Sequence, residues 1–228
     1  FVGCLLAILV CGGLGLFSGS MVAFFGVPPF VASLGMMMVA SGLAYMLSGG
    51  LSIYQLPESF DWLGRGDDLA GIPNAVVLMI LLYFLAHLLM SRTIAGRFVY
   101  AVGGNSEAAR LSGVPVKRIL LWVYAGSGAL AGLGGIVMAS QFRSGDPKYG
   151  LMYELYVIAA VVVGGTSLSG GRGKVFGTLI GAFIIAVIQN GMNLTGVQSY
   201  TQKVVLGLVL LAAVLLDMLK KRGWKLSS

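Results

Sequence analysis

The chain has 228 residues, 57% of them hydrophobic and only 10% charged, with a formal charge of +7. A soluble domain carries about 25% charged residues, so this composition excludes a water-soluble fold and points to the bilayer as solvent. The positive balance does not indicate nucleic acid, because Lys and Arg cluster beside apolar stretches, as the positive-inside rule distributes them.

The first 57 residues hold no charge, and Glu58 is the first charged side chain, which excludes a solvated N-terminal domain. A membrane-spanning helix needs about 20 apolar residues, and Phe1–Phe25 qualifies. The chain opens on Phe inside this apolar run, without a charged leader. That reads as a fragment preceded by further spans rather than as a cleaved signal peptide. Cys4 and Cys11 fall near one face of this first helix but about 10 Å apart along it, too far to bridge. They read as small packing residues, and no zinc or haem spacing is present.

Gly26-Val-Pro-Pro-Phe30 interrupts the first span, since tandem prolines remove two backbone donors and disfavour helix before them. A second apolar segment runs over 30–47. Ser48–Pro73 then carries Glu58, Asp61, Arg65, Asp67 and Asp68 with Tyr54 and Trp62, and reads as a solvated loop with interfacial aromatics. The third span is 74–90. His87 lies in it, four residues before Ser91. An ionisable residue in a span marks a proton relay or an interfacial packing role, and the absence of an acidic neighbour in sequence favours packing.

Ser91–Arg118 is a polar, basic loop between apolar stretches. Gly103 and Gly104 are expected to break the preceding structure. Asn105 or Ser106 then suits an N-cap, and Glu107 sits in the first turn, where the helix dipole favours a negative charge. Ala108, Ala109, Arg110 and Leu111 are good helix formers. Gly113 suits a left-handed C-cap, and Pro115 can start the next helix. The product is a helix of about two turns, too short to persist alone in water. It is either a connector lying on the lipid surface or a knob that docks on a partner through Ala108, Leu111 and the stem of Arg110.

The fourth span is 119–140, followed by a polar stretch, 141–153, with Arg143, Asp146, Pro147 and Lys148. Glu154–Val163 is apolar but too short to cross a bilayer. It stops at Gly164-Gly-Thr-Ser-Leu-Ser-Gly-Gly-Arg-Gly-Lys174. This is not a phosphate loop. The Gly expected five residues before Gly173 is Leu168, and Val175 stands where Ser or Thr is required. Two readings stand. One is an unwound segment lining a pathway, with Gly164, Gly165, Thr166, Ser167, Ser169, Gly170 and Gly171 as gate candidates. The other is a plain cytoplasmic turn with glycine caps.

A further span covers 175–191, and Asn190 and Asn193 at its end join the pathway candidates or cap the helix. The last span centres on 204–216, with Asp217 placed to pair with Lys220 or Lys221. Gly128 and Gly132, and the ridge Gly173, Gly177 and Gly181, have the four-residue spacing that lets membrane helices approach closely.

Charge tests the orientation. With Ser91–Arg118, the Arg172/Lys174 turn and the C-terminal tail on one side, that side holds eleven of fifteen Lys and Arg and two of eight acids. It is therefore assigned to the cytoplasm, which places the C-terminus inside and the loops around Trp62 and Asp146 outside. No nucleophile–base set, paired acids or metal-ligand cluster is visible, so the expected class is a transporter rather than an enzyme. The expected fold is an all-α polytopic membrane helix bundle with broken or partial helices. Residues 1–228 are expected to form one transmembrane domain, with 91–118 as a loop within it.

Three stretches carry a family resemblance. They are Val102-Gly-Gly-Asn-Ser-Glu-Ala-Ala-Arg-Leu-Ser-Gly-Val-Pro-Val-Lys-Arg118, Ala159-Ala-Val-Val-Val-Gly-Gly-Thr-Ser-Leu-Ser-Gly-Gly-Arg-Gly173, and Val27-Pro-Pro-Phe-Val-Ala-Ser-Leu-Gly-Met36. The chain resembles permease subunits of bacterial ABC importers for monosaccharides, the ribose and xylose type, in the branched-chain amino-acid/sugar permease superfamily. Members of that family carry spans before the one that begins at Phe1. The resemblance implies that Gly103–Gly113 is a coupling helix region docking on a cytoplasmic ATPase, with Glu107, Ala108, Ala109 and Arg110 as its main contacts. It implies a second permease subunit, identical or not, and a periplasmic or lipoprotein sugar-binding protein. It also implies residence in the bacterial inner membrane. No cofactor is expected on this subunit; ATP and magnesium would be bound by the ATPase. Branched-chain amino-acid and nucleoside permeases are the near alternative, and their coupling loops match less well. An ion-driven transporter would carry carboxylates or lysines within its core spans, and these have none.

Overall fold

The structure, a computed structural model, describes residues 2–54, 56–68 and 71–225. Among these the chain is mainly helical, and an isolated antiparallel bridge joins Ile53 to Gly145. The helices are α1 Val2–Phe25, α2 Pro29–Ser48, α3 Asp61–Arg65 (preceded by a 3-10 turn, Glu58–Phe60), α4 Asn74–Arg92, α5 Ile94–Gly104, α6 Ser106–Leu111, α7 Val116–Phe142, α8 Tyr153–Val163, α9 Val175–Leu194 and α10 Ser199–Lys225. Five of them, α1, α2, α4, α7 and α9, are long and apolar enough to cross a membrane. Their large side chains are mostly exposed: Leu47 is 88% and Trp122 77% accessible. Apolar surface on that scale belongs against lipid. The all-α, multi-span expectation therefore matches the structure.

The chain divides into two compact units, residues 1–82 with 108–149, and residues 83–107 with 150–228; it passes between them within α4, within α6 and after Tyr149. In the first unit α1 and α7 pack antiparallel through glycine. A Cβ on Gly15 would overlap the Tyr124 carbonyl oxygen, and one on Gly128 would overlap that of Cys11. A Cβ on Gly132 would come within 2.9 Å of the Cys11 Cβ. Pairs of small residues four apart on both helices let the backbones touch, and dispersion then holds them in lipid. At the far end of α1, Lys117 Nζ lies 5.1 Å from the ring centre of Phe24. Both cysteines are unpaired, and Cys11 is a packing residue, as its spacing implies.

The opposite end of this unit carries a polar cap. Ser140, wholly buried, donates its hydroxyl to the Phe60 carbonyl (2.5 Å) and accepts from the Gly64 amide (2.8 Å). Asn74 donates to the Trp62 carbonyl (2.8 Å) and to Asp68 (3.1 Å). Arg143 caps α7 in a left-handed conformation and pairs with Asp61. Ile53 and Gly145 exchange two amide bonds of 2.8 Å, beside a Ser52–Asp146 bond of 2.5 Å. The stretch 48–73, expected to be a solvated loop, is thus partly ordered as a 3-10 turn and α3. Ser140 and Gly64 supply the long-range bonds that its local sequence does not announce.

In the second unit α8 and α9 run antiparallel. Ala159, Ala160, Ile185 and Leu206 form its core, flanked by Tyr156, Val163, Ala182 and Met192. Gly164 faces Gly177, and Gly181 faces the Ala160 carbonyl, each too close for a side chain. With 11 residues, α8 reaches about 16 Å, half of a hydrocarbon core of about 30 Å. The last helix begins at Ser199, earlier than the apolar run alone indicates. The pairing expected for Asp217 lies outside the described side chains.

Candidate functional site

The polar segment after α4 folds as two helices rather than one. The chain turns at Thr93, whose hydroxyl accepts the Gly96 amide (3.2 Å) and donates to the Leu89 carbonyl (2.6 Å), an N-cap that starts α5. Gly96 is buried at this corner, where a Cβ would lie 2.5 Å from the Leu89 carbonyl oxygen. Along α5, Phe98, Val99, Tyr100 and Val102 are half-buried, whereas Ile94, Arg97 and Ala101 are exposed. Gly103 and Gly104 do not break this helix, contrary to expectation. Helix α5 continues through both, and the break comes at the extended Asn105. Two glycines in a helix are unfavourable by themselves; here they admit another backbone.

That backbone is the glycine-rich loop 164–174. A Cβ on Gly103 would sit 2.9 Å from the Gly171 amide nitrogen, and one on Gly171 2.6 Å from the Gly104 Cα. A Cβ on Gly170 would overlap the Gly103 carbonyl oxygen. Gly170 and Gly171 both have positive φ, 82° and 72°, a conformation that only glycine adopts without strain. Tyr100 adds a side-chain bond, its hydroxyl donating to the Gly173 carbonyl at 2.8 Å. The loop also closes on itself. Ser167 donates its amide to the Arg172 carbonyl (3.0 Å), the Gly170 amide returns to the Ser167 carbonyl (3.0 Å), and the Ser169 amide reaches the Ser167 hydroxyl (3.3 Å). Thr166 is held by its amide to Val161 (3.1 Å) and packs under Gly173. At the start of α9, His87 packs against Phe176 with ring centres 4.6 Å apart and the rings tilted by 48°.

The structure therefore brings Gly103 and Gly104 of one predicted group together with Gly170 and Gly171 of the other. It does not bring all the pathway candidates together. Gly164, Gly165, Thr166, Ser167 and Ser169 sit at the start of α9, while Asn190 and Asn193 lie roughly 20–30 Å away at its other end. There the Asn193 side-chain oxygen accepts from Gln202 at 2.9 Å, a bond between α9 and α10. Sequence reasoning missed α5 itself and the clamp made by Tyr100. The available signals were Thr93 at an N-cap and an aromatic beside the glycine pair.

After Asn105, α6 is a single short helix with Glu107 in its first turn and Arg110 in its last. Ala109 is buried, while Ala108, Arg110 and Leu111 are exposed, Leu111 to 77%. Gly113 ends it with a φ of 82°, its amide bonded to the Arg110 carbonyl and that of Val114 to Ala109, both at 3.0 Å. This is the left-handed stop that its sequence predicts. Pro115 then caps α7.

A protein family described as the branched-chain amino acid transport system permease component matches residues 1–214. The chain belongs to this family. Its helices and its membership together make it a multi-pass membrane protein. Among similar permeases, the ribose import permease protein of Bacillus subtilis (strain 168) is 46% identical over 191 residues, covering 83% of this chain and 59% of that protein. The ribose import permease protein of Escherichia coli (strain K12) is 41% identical over 215 residues, covering 92% of this chain and 67% of its own length. The D-allose transport system permease protein of the same strain is 38% identical over 213 residues, covering 93% and 65%. The chain thus spans about three-fifths to two-thirds of the length of these relatives. No solved structure matches it.

Proposed function

We propose that this chain is the membrane-spanning part of a permease subunit in an ATP-driven importer of monosaccharides. The observation that carries the reading is the identity of 38–46% to permeases named for ribose and D-allose, over most of this chain. The family description names branched-chain amino acids, but the similar permeases quoted are named for sugars, so the sugar reading is preferred. In this role the permease forms the pathway and hydrolyses nothing. ATP and magnesium belong to a partner ATPase, and a sugar-binding protein delivers substrate from outside.

The short helix α6 is the proposed docking element for the ATPase, through Glu107, Ala108, Arg110 and Leu111; Ala109, expected as a contact, is buried and instead holds the helix to the protein. Its exposed Arg110 and Leu111 support this, since a two-turn helix does not hold itself in water. The proposed location is the bacterial inner membrane, with α6 and the C-terminus on the cytoplasmic side. Within the first unit, Asp61, Arg65, Arg143 and Asp146 gather at one end of α7 and Lys117 stands at the other. Within the second, Arg172 and Lys174 lie at one end of α9. Only the second supports the sidedness derived from charge, since the rule counts Lys and Arg and the first unit carries them at both ends.

The test is reconstitution of the full-length permease in liposomes with its ATPase and binding protein. Ribose- or allose-stimulated ATP turnover with sugar accumulation is the expected result. Stimulation by a branched-chain amino acid, with no response to any monosaccharide, would overturn the sugar reading.

A further inference from the structure

Gly164–Lys174 has so far been described by its place, and its contacts point to a role. The loop joins α8 to α9, and α8 and α9 are locked by Gly164 on Gly177 and by Gly181 on Ala160. Its tip is seated on the last turn of α5 by three backbone approaches that exclude a Cβ and by the Tyr100–Gly173 bond. On the other side of that turn, Asn105 alone separates α5 from α6. Four of the loop's amides, those of Gly165, Thr166, Ser167 and Gly170, bond to the end of α8 or within the loop, at Val162, Val161, Arg172 and Ser167. A segment that braces its own turn with amide bonds and abuts another backbone at glycine contact is built to transmit position.

From this we infer that the Gly164–Lys174 loop is the transmission element of the permease. It makes α5, α8 and α9 one rigid body, so that a displacement entering α5 at Asn105 is delivered to α9. This inference rests on the proposed importer function and deepens it. Tyr100, Gly170 and Gly171 are positioning residues in this scheme. They touch neither substrate nor nucleotide, and act by keeping α5 in register with the loop. Packed elements with no compressible space between them pass on a shift instead of absorbing it.

The experiment uses the full-length permease with its ATPase and binding protein in liposomes, and compares Tyr100→Phe, Gly170→Ala and Gly165→Ala. Gly165 also has a positive φ, 84°, but nothing within 4 Å of a built Cβ, so its variant carries the backbone strain without the collision. Tyr100→Phe is expected to keep ATPase association and basal ATP turnover. Its sugar-stimulated turnover should fall roughly 2- to 30-fold, the range seen for residues that carry coupling between sites. Gly170→Ala should also retain association and should lose more stimulation than Gly165→Ala. Equal loss in the two glycine variants, or release of the ATPase by Tyr100→Phe, would overturn the inference. If Gly170→Ala fails to insert, spin labels at Ala101→Cys and Leu168→Cys decide the matter. The rigid-body scheme expects the same distance with and without ATP, and a changed distance overturns it. A wild-type assembly unresponsive to any sugar would instead count against the importer reading, which the label distance does not depend on.

Discussion

Gly181 of α9 lies directly against the Ala160 carbonyl of α8, and the space between them admits no side chain. Gly181 is buried, and a Cβ there would also come within 2.8 Å of the Gly164 amide nitrogen. The contact is backbone on backbone, so nothing flexible can yield. Such approaches replace the hydrophobic effect, which does not drive one helix onto another in lipid.

Gly181→Ala is therefore expected to destabilise the α8–α9 pair by about 1–3 kcal/mol, as overpacking does. Gly191→Ala, on the same helix with nothing within 4 Å of its built Cβ, should be neutral or stabilising, since Ala exceeds Gly in helix propensity by up to about 1 kcal/mol. Thermal unfolding of the purified variants in detergent checks the contrast. Equal midpoints would show that the two helices do not rely on this contact.

Ser140→Ala removes a hydroxyl that serves two partners at once, the Phe60 carbonyl and the Gly64 amide. Leaving both unpaired in a buried site is expected to lower stability by about 1–3 kcal/mol. Faster proteolysis within 58–66, with the rest of the chain unchanged, would locate the damage at the polar cap. The collision of any Gly64 Cβ with Ser140 and Gln141 backbone atoms predicts that Gly64→Ala has a similar effect.

The loop around Asp146 should respond to acid. The Ser52 hydroxyl and the Lys148 amide (2.7 Å) both donate to the Asp146 carboxylate and hold its pKa below the ordinary carboxylate value. A depressed folded pKa means that the contribution is fully present above the ordinary value and is lost as pH falls through the folded one. Protection of the Ile53 and Gly145 amides, corrected for intrinsic exchange, should therefore weaken only on strong acidification. Asp146→Asn should be less protected at pH 7 and should lack that acid step.

Much of this was legible in sequence, for identifiable reasons. Proline pairs and glycine caps mark chain breaks chemically, so the end of α1, the start of α2 and the stop at Gly113 could be read residue by residue. Four-residue glycine spacing marked Gly128 with Gly132 and Gly177 with Gly181 as positions of close packing, but not the helices they meet. Helix α5 was not legible, because its apolar face is short and Gly103-Gly104 resembles a breaker. Only the loop that arrives some 65 residues later explains why glycine is tolerated there. The polar cap was missed for the same reason: Ser140 and Gly64 are 76 residues apart, and neither is unusual in its own neighbourhood. Among the candidate site residues, local signals gave the form of α6. The meeting of Gly103 with Gly170 and Gly171 is a tertiary fact that pattern alone cannot supply.

The docking role proposed for α6 predicts that Glu107→Ala with Arg110→Ala inserts normally yet loses sugar-stimulated ATP turnover by about tenfold or more, as truncation of interface hot spots does. Co-purification with the ATPase should weaken in parallel. Turnover that still follows sugar in the double variant would remove α6 from the coupling path.

The most direct measurement concerns the side of the membrane on which α6 stands. In a full-length permease with Cys4→Ala and Cys11→Ala, a cysteine at Glu107 is treated with a membrane-impermeant maleimide, in sealed right-side-out vesicles and in inside-out ones. Labelling is predicted in inside-out vesicles only, as for a helix presented to a cytoplasmic ATPase. Labelling from the outer face, or protection from both sides until detergent is added, would contradict the proposed coupling.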